Sequence, residues 1–301
     1  MLPDLPPVPY RSAVGSLFGN SVIPDASIRP GAANAGLVFD RYLRIWEGEI
    51  DNPNKTKRTN EVLQEFVRAF NARSSQPDHP AVKLLRSFHD RLDRSEAQSV
   101  SSRVKYRVDW RLTSGLGSDH PLENGFCFDT LIGIPVIHGT AVKGLCRAAA
   151  ELEDLPTDVQ RELFGSAEEK EESAVEPASG GLLFFDAYPV IWPRLKVDVV
   201  NCHHPAYYGA ALDMVTSQRP GKPARKTPRV QAVEYENPVP VYFLTVDAGT
   251  EFTFRIRGRA GNTHAVHTAM RLLDFGLTVL GIGAKTAVGY GVMQRLPGAA
   301  L

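Results

Sequence analysis

The chain has 301 residues with 43% hydrophobic side chains, enough to bury a substantial core in one large domain or two smaller ones. Its 34 basic and 34 acidic side chains leave a formal net charge of zero, so no global field draws it to nucleic acid, and any polyanion site has to come from local segregation of charge. Cys127, Cys146 and Cys202 are scattered without CxxC spacing, which disfavours a disulfide framework and a zinc ribbon; with no apolar run of membrane-spanning length and no signal-like start, the chain reads as soluble and cytoplasmic, without metal or cofactor.

In chain order, residues 1–32 read as a proline-rich N-terminal arm, and 33–46 open a helix. Residues 59–72 set Val62, Leu63, Phe66, Val67 and Phe70 on one face, and 80–93 repeat the pattern with Val82, Leu85, Phe88 and Leu92; both are amphipathic helices of a helical segment over 33–100. Residues 103–113 alternate instead. Val104, Tyr106, Val108, Trp110 and Leu112 share one face of a strand, with Arg103, Lys105, Arg107, Asp109 and Arg111 on the other. Four cations on that side fit a solvated edge strand or a surface facing RNA or an acidic partner.

A helix follows with Thr140 as N-cap and an apolar stripe of Ala141, Val142, Leu145, Ala148, Ala149 and Leu152, leaving Lys143 and Arg147 exposed. Beyond it come a short helix at 156–164, an insertion at 165–180 carrying Glu168, Glu169, Glu171, Glu172 and Glu176, and a strand at 181–186. A loop-rich insertion covers 200–238, where Arg219, Lys222, Arg225, Lys226 and Arg229 occur without an acid; it reads as a solvated loop or an RNA contact. Strands at 240–247 and 250–258 are separated by Ala248-Gly249, a hairpin signal; a helix at 264–280 and a last strand at 288–296 close the chain. From residue 101 to 301 the order is β-α-β-β-α-β: an α+β, ferredoxin-like, RRM-type core, whose sheet is commonly an RNA platform.

Two glycine-punctuated basic motifs stand out, GIPVIHGTAVKGLCR at 133–147 and GIGAKTAVGYG at 281–291. In the first, Gly139 and Thr140 open a helix whose free N–H groups attract an anion. Lys143 and Arg147, disfavoured by the helix dipole in its first turns, make sense there if a phosphate sits between them; a solvated amphipathic face is the plainer alternative. In the second, Ala284 separates Gly283 from Lys285, so it is no Walker A loop, and it follows a helix and precedes a strand, the reverse of a dinucleotide fingerprint. A glycine-rich loop remains, in which Gly281, Gly283, Lys285, Thr286, Gly289 and Gly291 can press backbone amides against a sugar-phosphate chain. The block NCHHPAYY at 201–208 lacks ligand spacing; His203 and Tyr207 fit stacking on RNA or plain packing, and Asp186 and Asp198 read as caps ending strand-like segments.

These two motifs, together with NAGLVFDRY at 34–42, WRLTSGLGSDHPLENGF at 110–126, FFDAYP at 184–189, VDVVNCHHPAYY at 197–208 and PVYFLTVDAGTEFTF at 240–254, resemble the RAMP superfamily of CRISPR RNA-guided effectors, and within it the sixth RAMP subunits of the Cmr (type III-B) complex. The family often has proline where His138 precedes Gly139. The resemblance implies a RAMP core and a non-catalytic structural subunit in antiviral defence that holds the 3′ portion of the CRISPR RNA. It also implies contact with target RNA and three neighbours: the backbone RAMP subunit, the small helical subunit and the terminal RAMP subunit. Catalysis belongs elsewhere in such complexes, to the backbone and large subunits. Two rivals stand beside this expectation: a metal-independent endoribonuclease processing CRISPR RNA with His138 or His203, and an assembly subunit that barely touches RNA.

Overall fold

The computed structural model describes residues 33–43, 45–49, 52–55, 58–96, 101–166, 179–202, 239–259 and 262–297. Helix α1 (Ala35–Arg41) is capped by Asn34, whose side-chain oxygen accepts the Leu37 N–H at 3.0 Å while its amide donates to the Thr130 and Leu131 carbonyls. The helix expected over 33–46 stops there. After it, β1 (Trp46–Glu49) and β2 (Asn52–Lys55) pair as an antiparallel hairpin, which Asn52-Pro53-Asn54 concealed as a turn-like run. Helices α2 (Thr59–Asn71) and α3 (Pro80–Glu96) follow the predicted periodicity. Leu63, Phe66, Val67 and Phe70 of α2 are buried, and each such side chain contributes about 1.5–3 kcal/mol on leaving water. Phe39, Phe66, Phe70, Phe126 and Phe128 form one aromatic cluster, extended by Trp192 on Phe70 at 4.9 Å.

Strand β3 (Ser101–Val108) lies at the centre of the main sheet, antiparallel to β8 (Glu251–Gly258) and to the short β9 (Met293–Arg295). β4 (Leu182–Phe184) and β5 (Tyr188–Pro189) pair with the other side of β8, giving the order β4-β8-β3-β9. Register matches chemistry. Val104 opposes Phe254 and Tyr106 opposes Phe252, all buried, whereas Arg103 opposes Arg255 and Lys105 opposes Thr253 on the reverse face. Helices α4 (Gly139–Leu152) and α6 (Thr263–Phe275) cover the apolar face; Tyr106 donates its hydroxyl to Asp274 there, and burial pushes the phenol pKa up. A short helix, α5 (Thr157–Phe164), and a second sheet of β6 (Leu195–Cys202) with β7 (Val239–Val246) complete the described fold.

Several expectations are corrected. The strand read over 103–113 ends at Val108, and Trp110 is 48% exposed instead of sharing the buried face. Strands 239–246 and 251–258 do not form a hairpin with each other: the turn at 247–250 passes β7 to β6 and β8 to the main sheet. β6 starts ahead of the 200–238 insertion and runs into it, where no strand is expected, although Leu195, Val197 and Val199 already alternate with Lys196, Asp198 and Val200. The buried stripe of α4 is Val142, Cys146, Ala149 and Ala150; Leu152 is exposed, and the N-cap is His138, not Thr140. The long last helix breaks at Phe275 into a π turn over Gly276–Leu280, and the final strand starts five residues later than expected, at Met293.

The reverse face of the sheet is closed over β8, where Thr253 and Arg255 are buried, and open along β3, where Arg103, Lys105 and Arg107 are exposed. Helix α3 lies on it: Asp93 Oδ1 pairs with Arg103 at 2.6 Å and with the buried Arg255 at 2.8 Å, His89 Nε2 donates to the Pro189 carbonyl at 2.8 Å, and Phe88 meets Tyr188 edge-on. Burial depresses the His89 pKa against the opposing pull of that hydrogen bond. Among the described residues no helix is long and apolar enough to cross a membrane.

Candidate nucleic-acid interface

The first motif builds a helix start around a close chain crossing. A Cβ on Gly139 would overlap the Phe184 carbonyl, so glycine lets α4 begin directly against the β4 segment. The Gly139 N–H donates to Asp186 Oδ1 at 2.6 Å, so the anion at this helix start is a carboxylate of the chain itself. Asp186 thus caps, as read from the sequence, though it caps a helix and not its own strand. Thr140 is exposed in the first turn. Lys143 and Arg147 are half-buried, not fully exposed. Arg147 donates to the Phe164 and Gly165 carbonyls at 3.4 Å and lies over the Phe164 ring at 5.7 Å, closing the C-terminal end of α5. Burial, then the charges of Arg147 and Arg259, lower the Lys143 pKa. Three cations therefore crowd at this edge, and Arg259 is one that sequence reading passed over.

The second motif is a closed loop stitched to the segment after β3. Ala284 N–H donates to the Thr113 carbonyl at 2.8 Å, Gly291 N–H to Arg111 at 2.7 Å, and Ile282 N–H to Gly291 at 3.0 Å. Gly283 sits at φ +96, with space for a Cβ taken by the Thr113 carbonyl. Gly281 and Gly291 are buried, whereas Gly283 and Gly289 are exposed and Thr286 is half-buried. Lys285 occupies the left-handed region at φ +61, which costs a non-glycine residue about 1 kcal/mol or more, and its Nζ stands 5.6 Å above the Phe243 ring.

An ionic knot anchors this loop. Asp198 accepts from Arg111 and, at 2.6 Å, from the Tyr290 hydroxyl. Burial opposes ionisation of Asp198, but the Tyr290 hydroxyl, the Val199 N–H and Arg111 together hold its carboxyl below the usual range, while burial and the same carboxylate raise the Tyr290 pKa to about 12. Asp198 is mid-strand in β6, not a strand-end cap. Arg111 and Tyr290 also flank Trp110, at 5.4 Å and 4.9 Å from its ring.

The two motifs meet through their helices. Gly276, in the π turn that leads into the loop, packs against Leu145 of α4, where a Cβ would press on the Leu145 side chain. Their lysines face different surroundings, Lys143 beside Arg147 and Arg259, Lys285 over Phe243. His203, Tyr207, Arg219, Lys222, Arg225, Lys226 and Arg229 lie outside the described residues, as do the acidic run at 167–176 and the N-terminal arm. Of the strand cations, Arg103 and Arg111 are ion-paired and Arg107 reaches Gln294.

His138 borders a cleft of about 410 Å³ lined also by Asp40, Arg41, His120 and Cys127. His120 Nδ1 accepts the Leu122 N–H and Nε2 faces the Phe39 carbonyl, both at 3.1 Å, so both nitrogens of its neutral ring are committed. His138 stands 3.7 Å from Asp186 Oδ2, beyond hydrogen-bond length. Among the described residues no cluster of three or more His, Cys, Asp or Glu side chains could hold a metal ion.

Comparison with known proteins now adds to this geometry. The sequence profile of the RAMP superfamily matches residues 81–294. A curated relative, CRISPR system Cmr subunit Cmr6 of Pyrococcus furiosus, is 24% identical over 339 aligned positions, spanning 87% of this chain and 95% of the relative. A chain of a cryo-EM structure of the type III-B Cmr-beta complex bound to cognate target RNA superposes with a TM-score of 0.52 at 19% identity, covering 81% of this chain and 76% of that one. The crystal structure of Cmr6 from Pyrococcus furiosus aligns at a TM-score of 0.38 and 23% identity, over 65% of this chain and 98% of that one. With more than two thirds of its length matched by the profile, the chain belongs to the RAMP superfamily.

Proposed function

We propose that this chain is a non-catalytic subunit of a type III-B CRISPR effector that holds the 3′ portion of the CRISPR RNA and docks against neighbouring Cmr subunits in the cytoplasm. The observation that carries the reading is the match to Cmr6 along nearly the whole of that relative. The strand order β4-β8-β3-β9, with α4 and α6 on one face, supports a ferredoxin-like core. Lys143, Arg147 and Arg259 at one edge, and Lys285 in the glycine loop, are the cations this reading assigns to guide phosphates. Neighbours of the kinds named by the resemblance, the backbone, small helical and terminal RAMP subunits, complete the proposal.

Charge reversal of both Lys143 and Lys285 tests it. RNA affinity of the full chain should fall about tenfold or more, and the slope of log affinity against log salt should flatten by about two. Unchanged affinity and slope would reduce both motifs to structural elements. The endoribonuclease reading is tested with labelled repeat RNA: specific cleavage by the full chain that His138→Ala or His203→Ala abolishes would replace the non-catalytic reading.

A further inference from the structure

Among the described residues, Trp110 is the largest apolar side chain that the fold leaves in the open. It is 48% exposed, whereas Trp192 is buried against Phe70 and donates its indole N–H to the Phe70 carbonyl. A tryptophan holds 150–250 Å² of contact surface, and leaving half of it in water forgoes stabilisation unless something covers it. Its position is also fixed. Tyr290 supports the ring at 4.9 Å and the Arg111 guanidinium lies 5.4 Å from it, and both of these are themselves held by Asp198. A rigid, half-exposed indole loses little entropy when another flat group stacks on it.

We infer that Trp110 is a nucleobase-stacking platform for single-stranded RNA, working beside the glycine loop; this rests on the RNA-holding function proposed above. Neighbourhood points to RNA. The loop is tied to the residues that follow Trp110 through Gly291 N–H to Arg111 and Ala284 N–H to Thr113, and it leaves Gly283 and Gly289 exposed. An aromatic row runs inward from Trp110 through Tyr290 to Phe243, and Lys285 stands at its far end. An exposed aromatic face next to a cationic, glycine-rich loop is how proteins grip single strands, by stacking bases while the cation follows the phosphates. The charge of Arg111 is already satisfied by Asp198, so the contribution of Trp110 is stacking and not ionic.

That distinction makes a test. For the full chain binding a single-stranded RNA oligonucleotide, Trp110→Ala should weaken binding about tenfold and leave the salt slope unchanged, because stacking releases no counterions. Trp110→Phe should retain most of the affinity. Wild-type tryptophan fluorescence should be quenched by RNA, and Trp110→Phe should remove that quenching with the urea midpoint unchanged. Wild-type chain that fails to bind RNA overturns the proposed function and this inference with it. RNA binding that is intact in Trp110→Ala, with quenching retained in Trp110→Phe, overturns this inference alone. Loss of binding to a neighbouring subunit, with RNA affinity intact, would make Trp110 a protein contact and also overturn it.

Discussion

The helix start at 139–147 and the loop at 281–291 share a composition of glycine beside lysine, yet the fold uses them differently. At the helix start, glycine admits a crossing chain, the free N–H is taken by Asp186, and Arg147 turns one guanidinium nitrogen to the carbonyls at the end of α5. In the loop, the backbone amides are spent on Arg111 and Thr113, and the lysine backbone is held in a costly conformation above an aromatic ring. Both motifs thus satisfy internal contacts first. What they leave for a ligand is Lys143 with its crowded cations at one place, and Lys285 in the loop whose Tyr290 supports Trp110 at the other. Glycine-lysine spacing reports where chains approach closely; the surroundings decide whether an anion from outside finds room.

The comparison can be broken at three depths. Gly283→Val should have the largest effect. It puts a β-branched side chain at φ +96 against the Thr113 carbonyl, and should cost about 3 kcal/mol or more, read as a lowered urea midpoint at unchanged m. Gly139→Ala, with a negative φ but an equally blocked Cβ, separates the crossing from the conformational strain and should cost less. Asp198→Asn comes next. It leaves Arg111 without its counter-charge and should cost about 2 kcal/mol at neutral pH. The folded Asp198 carboxyl lies below its unfolded value, so its contribution is fully present above the unfolded pKa of about 3.9 and is lost as pH falls through the folded one. Wild type should therefore lose stability more steeply than Asp198→Asn in acid unfolding. Smallest is Asp186→Ala, about 1 kcal/mol in thermal unfolding, the usual value of a helix cap. If the helix start is a latent anion site, added phosphate should restore part of that loss in the variant and do nothing for wild type.

The α+β composition and the two amphipathic helices were legible because burial imposes a 3.6-residue period: Leu63, Phe66, Val67 and Phe70 could share only one face. The alternation of Val104, Tyr106 and Val108 was equally plain. Beyond Val108 the alternation continued in letters but not in space. Asp109 donates its N–H to Val292, and the chain leaves the ladder to cross under the glycine loop, so Trp110 turns outward. Strand partners were illegible for the same reason: a turn at Ala248-Gly249 looks like a hairpin whichever sheet its arms join. Asp186 and Asp198 could be guessed as caps from local sequence, but their partners stand 47 and 87 residues away.

From its residues alone this protein was bound to form helices and strands in roughly the observed order, to be neutral overall, and to carry two glycine-basic motifs matching the RAMP superfamily, because these depend on local periodicity and short spacing. Tertiary structure alone decided that α3 packs on the reverse face over β8, that Asp186 supplies the anion at the α4 start, and that Trp110 stands in the open against Tyr290 of the glycine loop. Those outcomes depend on which distant chain segments meet, and contact between distant segments leaves no period in a sequence.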